Sequence, residues 1–137
     1  MIPADLQHAA TLVQVLERAG LKVRDVRHSR LEAMFKGDVK AAYLTTNRGV
    51  VEAAIFSGPT DAEQIRITYS IDPGARTVRH RYRIEGWPTN GKAGHWDAAY
   101  PVYFTLHENW FLVTHHPELD PVLKRALGQS RLPRDRE

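Results

Sequence analysis

From Val23 to Thr114 the chain keeps a hydrophobic period of two, and the longer period of a helix appears only before and after that stretch. Alternation at two sends successive side chains to opposite faces of a strand, so most of the chain is committed to sheet. The N-terminal segment differs. Leu6, Ala9, Val13 and Leu16, flanked by Ala10, Leu12 and Ala19, form one apolar face over residues 4 to 19, while Gln7, Thr11, Gln14 and Arg18 face away. This predicts an amphipathic helix with Pro3 and Asp5 in its first turn. Gly20 followed by Leu21 supplies a left-handed stop with an apolar contact back onto the helix.

Within the alternating region, V-R-D-V-R (23–27) and L-E-A-M-F-K (31–36) read as a strand pair around His28–Arg30. A-A-Y-L-T-T (41–46) and V-V-E-A-A-I-F (50–56) flank Asn47-Arg48-Gly49, a short hairpin loop with glycine in its left-handed position. I-R-I-T-Y-S-I (65–71) and T-V-R-H-R-Y-R-I (77–84) surround Asp72-Pro73-Gly74-Ala75, a turn with proline second and glycine third. After a connection over 86–99 come Y-P-V-Y-F-T-L (100–106), the turn His107-Glu108-Asn109, and W-F-L-V-T (110–114). Tyr103, Phe104, Phe111 and Val113 are apolar on both faces, which predicts a central position for this last hairpin. Asp120 as N-cap and Pro121 behind it open a short second helix that Gly128 stops.

The expected fold is therefore α+β: an N-terminal helix packed on a curled antiparallel sheet of seven or eight strands in hairpin order, with a short C-terminal helix. Residues 1–128 read as a single domain and 129–137 as a disordered basic tail. A length of 137 residues suits one core, and 42% hydrophobic with 26% charged residues is ordinary globular composition. The absence of cysteine excludes disulfides, thiolate catalysis and Cys-type metal sites. No apolar run approaches the ~20 residues that span a bilayer. The N-terminus lacks the pattern of a signal peptide, so a cytoplasmic protein with no membrane contact is expected.

The net charge of +3 points toward nucleic acid until it is located. Lys124, Arg125, Arg131, Arg134 and Arg136 against Asp135 and Glu137 account for all of it, leaving a neutral chain before them. The basicity belongs to the tail.

One stretch, G-W-P-T-N-G-K-A (86–93), nearly fits the phosphate-cradling pattern G-x-x-x-x-G-K-[ST]. Ala93 occupies the position of the magnesium-binding hydroxyl. The residues that follow leave no room for the required helix, and the strand before it is arginine-rich where a buried parallel strand would be apolar. The nucleotide reading fails on all three counts, and no cofactor is expected.

The connection 86–99 is nevertheless long for an antiparallel domain. It carries Trp87, Lys92, His95 and Trp96, so it is expected either to cap an open end of the sheet or to act as a recognition loop. The second candidate surface is an arginine face. Alternation puts Arg79, Arg81 and Arg83 on one side of their strand, and a four-residue turn would set Arg66 opposite Arg81 and Thr68 opposite Arg79. That face is either a solvated surface or a row of guanidinium groups for a protein or anionic ligand. Nucleic acid fits it less well, because stacking aromatics are missing from that side. Val78, His80, Tyr82 and Ile84 are expected to point to the core. A third possibility is a pocket between helix and sheet lined by Tyr43, Tyr69, His80 and Tyr82, with modest acid–base chemistry. The adjacent His115 and His116 point to opposite faces and no H-x-H or H-E-x-x-H spacing occurs, so no metal site is expected. The favoured reading is a non-enzymatic binding or interaction domain, with a pocket protein or enzyme as the alternative. An open sheet also leaves edges, which makes a homodimer an expectation.

Overall fold

The computed structural model describes residues 2–72, 76, 78–86 and 94–129. The predicted first helix is divided into a tight 3-10 turn over Ala4–Leu6 and helix α1, Ala9–Arg18. It ends as its sequence requires. Gly20 has φ 96°, its N–H donates to the Glu17 carbonyl at 3.0 Å, and the Leu21 N–H donates to the Leu16 carbonyl at 3.1 Å. Leu6, Leu12, Leu16 and Leu21 are fully buried, each stabilising the fold by about 1.5–3 kcal/mol.

Among the described residues, eight antiparallel strands follow in two sheets. The larger contains β1 (Val23–His28), β2 (Val39–Thr46), β3 (Gly49–Phe56), β7 (Tyr103–His107) and β8 (Trp110–Thr114), in the order β1-β2-β3-β8-β7. The smaller holds β4 (Arg66–Asp72), β5 (Arg79–Glu85) and β6 (Gly94–Ala98), in that order. The second helix, α2 (Asp120–Gln129), closes the described chain. The expectation of one curled sheet is corrected here: there are two sheets, and neither is strongly curled. Hairpin neighbours do pair, but β3 returns to β8 across the whole smaller sheet.

The central strands are buried on both sides because both sides have a partner. Val51, Ala53 and Ile55 of β3, with Trp110 and Leu112 of β8, face α1 and α2. Ala54, Phe56, Phe111 and Val113 face the smaller sheet. The layers are thus helices, larger sheet, smaller sheet. The last hairpin is central only through β8; β7 is an edge, closed by Lys124 of α2, whose Nζ donates to the Phe104 carbonyl at 2.9 Å.

Four further expectations are corrected. Residues 31–36 are not a strand. Arg30–Met34 form a 3-10 turn capped by Ser29 Oγ, which accepts from the Leu31 N–H at 3.1 Å, and β1 pairs β2 instead. The segment L-E-A-M-F is apolar at spacings of two and of three to four, and the cap selects the tighter turn. Gly128 does not stop α2, which runs on to Gln129. A strand, β6, lies inside the connection expected to be loop. Finally, the β4–β5 register is shifted: Arg66 faces Glu85, Thr68 faces Arg83 and Asp72 faces Arg79. The shift is even, so the faces stay as expected, but the Arg66–Arg81 opposition is replaced by opposite-charge pairs.

Candidate binding surface

Two inward rows build the smaller sheet's contact with the larger. Ile67, Ile84 and Gly94 align across the three strands, and Tyr69, Tyr82 and Trp96 align next to them. Ile84 is fully buried and Tyr82 nearly so, whereas His80 is half-buried and Val78 is exposed. The β4–β5 hairpin therefore overhangs the core. Val78 was expected inside but is exposed by 50%. Rings continue inward from the second row: Tyr82 meets Phe104 edge-on at 5.2 Å, and Trp96 meets the same ring at 6.1 Å.

The Tyr82 hydroxyl accepts the Val102 N–H at 3.0 Å, tying β5 to the chain that enters β7. Burial, the largest effect, pushes the Tyr82 phenol above its usual value near 10, and the Val102 bond opposes this. A group with a raised folded value stabilises the fold fully below its unfolded value and loses that contribution as pH rises through the folded one. Stability is thus expected to fall on the alkaline side of about pH 10. Tyr82→Phe should remove this slope and cost about 1–3 kcal/mol at neutral pH, by leaving the Val102 N–H without its acceptor. Urea denaturation at the two pH values checks both, and an unchanged alkaline slope in the variant would disprove the assignment.

The outer face of the smaller sheet carries the arginines, as expected, together with acids of β4, β5 and β6. Arg81 Nε donates to Asp97 Oδ1 at 3.0 Å and its second nitrogen reaches Oδ2 at 3.4 Å, which holds the guanidinium even more firmly protonated. Arg83 pairs Glu85 at 2.9 Å, Arg79 lies opposite Asp72, and Arg66 lies opposite Glu85. Four arginines share three carboxylates on this face, so it is a nearly balanced ladder with little field for an anion.

Of the four residues expected in a pocket between helix and sheet, Tyr69, His80 and Tyr82 instead meet on the smaller sheet, and Tyr43 lies on β2. Tyr43 and Tyr69 are exposed by 37% and 48%. Tyr69 Oη lies 2.7 Å from His80 Nδ1 and its ring stacks on that imidazole at 5.8 Å. The space between helices and larger sheet is filled by apolar side chains. A shallow cleft of about 290 Å³ remains at one end of that space, between His8 at the start of α1 and Asp38, Lys40, Ile55, Phe56 and Ser57 of the larger sheet and its flanks. Among the described residues no group of three or more His, Asp or Glu is placed to hold a metal ion.

A smaller notch, about 80 Å³, opens where the two sheets part. Val50, Val102 and Val113 form its apolar walls, and Trp96, Tyr100, His115 and Glu52 line it with rings and one carboxylate. Ser29 Oγ donates to Glu52 Oε1 at 2.6 Å, so a cap of the 3-10 turn also fixes this carboxylate. The Tyr100 ring lies 5.0 Å from that of His115. Of the loop residues predicted from sequence, Trp96 belongs to this site. Trp87 and Lys92 lie outside the described residues, as does the side chain of His95. Sequence reasoning missed Glu52, Tyr100 and His115. Only Glu52 left a signal, as the one charge in the apolar run V-V-E-A-A-I-F. The phosphate-loop look-alike runs directly into strand β6, not a helix. Compared with family models, curated proteins and solved structures, the chain matches none.

Proposed function

We propose that the protein is a non-enzymatic binding domain that receives a positively charged side chain of a partner protein in the notch between its sheets. The observation that carries this reading is the pairing of aromatic rings with a single oriented carboxylate in an open recess. Ring faces attract ammonium and guanidinium groups by about 0.5–2 kcal/mol, and a charge-assisted hydrogen bond to the carboxylate adds direction. The notch is far below the roughly 300 Å³ at which sites for small ligands begin, but a side-chain head group needs no more room. The arginine face is the weaker candidate because its own acids occupy it. The small-ligand reading is weaker still, since the tyrosines and His80 expected to line its pocket lie outside the cleft beside His8.

Titrating the protein with short lysine- and arginine-containing peptides, against glutamate-containing controls, tests the proposal by calorimetry. Binding by the basic peptides alone is expected, with Glu52→Gln and Trp96→Ala each weakening it at least about tenfold, equivalent to 1.4 kcal/mol. If Trp96→Ala lowers the melting temperature by many degrees while leaving peptide binding intact, Trp96 is only a packing residue and the proposal is wrong.

A further inference from the structure

We infer that the protein forms a two-fold homodimer through strand β4, joining two smaller sheets into one of six strands. The four sheet edges are treated differently by the fold. The β1 edge has an irregular register between Val23 and Asp25 and carries Arg24, Asp25 and Arg27. The β7 edge is closed by Lys124. Strand β6 is short, at five residues. Strand β4 is different: seven residues, regular in register, without proline or lysine, and exposed at every position except the half-buried Ile67. A long edge of regular register is a template for another strand, and proteins that remain monomeric usually interrupt it.

The sequence of β4 says which strand fits. R-I-T-Y-S-I-D reads nearly the same from both ends. In an antiparallel pair of copies centred on Tyr69, Arg66 meets the second copy's Asp72, Ile67 meets Ile71, Thr68 meets Ser70, and Tyr69 meets itself. Each cross-strand pair is thus matched in charge or polarity. A slip by one residue would set apolar positions against polar ones, and a slip by two would lose both Arg–Asp pairs.

The neighbouring strands extend the match. Within one copy Arg66 already faces Glu85 and Asp72 faces Arg79. The outer row across the joint would read Glu85, Arg66, Asp72, Arg79, alternating in sign. On the inner side the row Trp96–Tyr82–Tyr69 would meet its own image, covering the exposed Tyr69 and Ile71. A two-fold axis requires such self-complementarity, and an arbitrary edge strand does not have it. Because β4 and β6 are opposite edges of the smaller sheet, the notch at Trp96 is not consumed, and the inference stands independently of the proposed ligand. One strand pair is a small interface, so dissociation on the order of micromolar is expected.

Sedimentation of the full chain from nanomolar to several hundred micromolar, about the range that brackets such an affinity, tests it. The wild type should pass from monomer to dimer. Arg66→Asp and Asp72→Arg should each weaken the dimer at least about tenfold, by placing like charges at both ends of the joint. The double reversal should restore it, although it keeps both mismatches with β5 inside each copy. No other arrangement of this strand predicts that recovery. Tyr69→Cys supplies a readout that does not depend on those charges. It would be the chain's only cysteine, on the two-fold axis, within the Cα separation of about 4.4–6.8 Å that a disulfide needs. It should cross-link to itself under mild oxidation, whereas a cysteine at the exposed Glu17 of α1 should not. A monomer at all concentrations, single reversals that dimerise like wild type, or cross-linking no better at position 69 than at 17 would each overturn the inference.

Discussion

Phe111→Ala is expected to cost about 3–5 kcal/mol, lowering the melting midpoint by roughly 10–20 °C. The ring is fully buried on β8, with Ala54 opposite it on β3 and Leu106 on β7. Ala54 is too small to fill the space left behind. Two further neighbours are rings, Phe35 at 5.2 Å and Phe104 at 5.7 Å, and each is held in turn by Phe56 or Tyr82. Such a cluster relaxes little, so the cavity persists and the cost lies toward the upper part of the range. Phe111→Leu, which keeps most of the volume, should cost only about 1–2 kcal/mol. Urea denaturation of the two variants measures both, and a loss below about 1 kcal/mol for the alanine variant would show that the aromatic cluster does not organise the joint between the sheets.

Gly86→Ala should destabilise by about 3 kcal/mol or more, and for a reason unrelated to cavity formation. Gly86 has φ 127°, a conformation that a side chain resists. A Cβ there would overlap the Gln64 carbonyl oxygen, with Ile65 Cα at 3.1 Å. Both obstacles are backbone at the entry to β4, so no rotamer change relieves them. The variant must pry apart the end at which the β4–β5 hairpin joins the core. Gly128→Ala is the contrasting control: nothing lies near a Cβ at that helical position, and a stability gain of up to about 1 kcal/mol is expected. Comparable unfolding midpoints for the two alanine variants would rule out the close approach at Gly86. The glycine that opens the phosphate-loop look-alike is thus accounted for by packing against Gln64.

The local features were legible in the residues themselves. The helix stop at Gly20, the hairpins β2–β3 and β7–β8 and the faces of β4 and β5 depend on spacing, a turn or a cap within a few residues. The β4–β5 register was not legible, because β4 ends at Asp72 and β5 begins only at Arg79, and turn residues alone do not say where pairing resumes. The turn over Arg30–Met34 was hidden by a segment that is apolar at both periods, and β6 by its shortness among glycines. The notch was legible only in Trp96. Glu52, Tyr100 and His115 come from separate strands and their ends, and nothing in their neighbours announces that they meet.

By itself the sequence determined that this chain is mostly antiparallel strand covered by helices, with two opposed faces on the arginine-rich strand, because side-chain alternation is a property of consecutive residues. Only the tertiary structure decided that the strands divide into two sheets, that acids from Asp97 and Glu85 neutralise the arginines, and that Glu52 stands beside Trp96. Strand partners are chosen by which buried faces fill one another, and that choice is made between segments far apart in the chain.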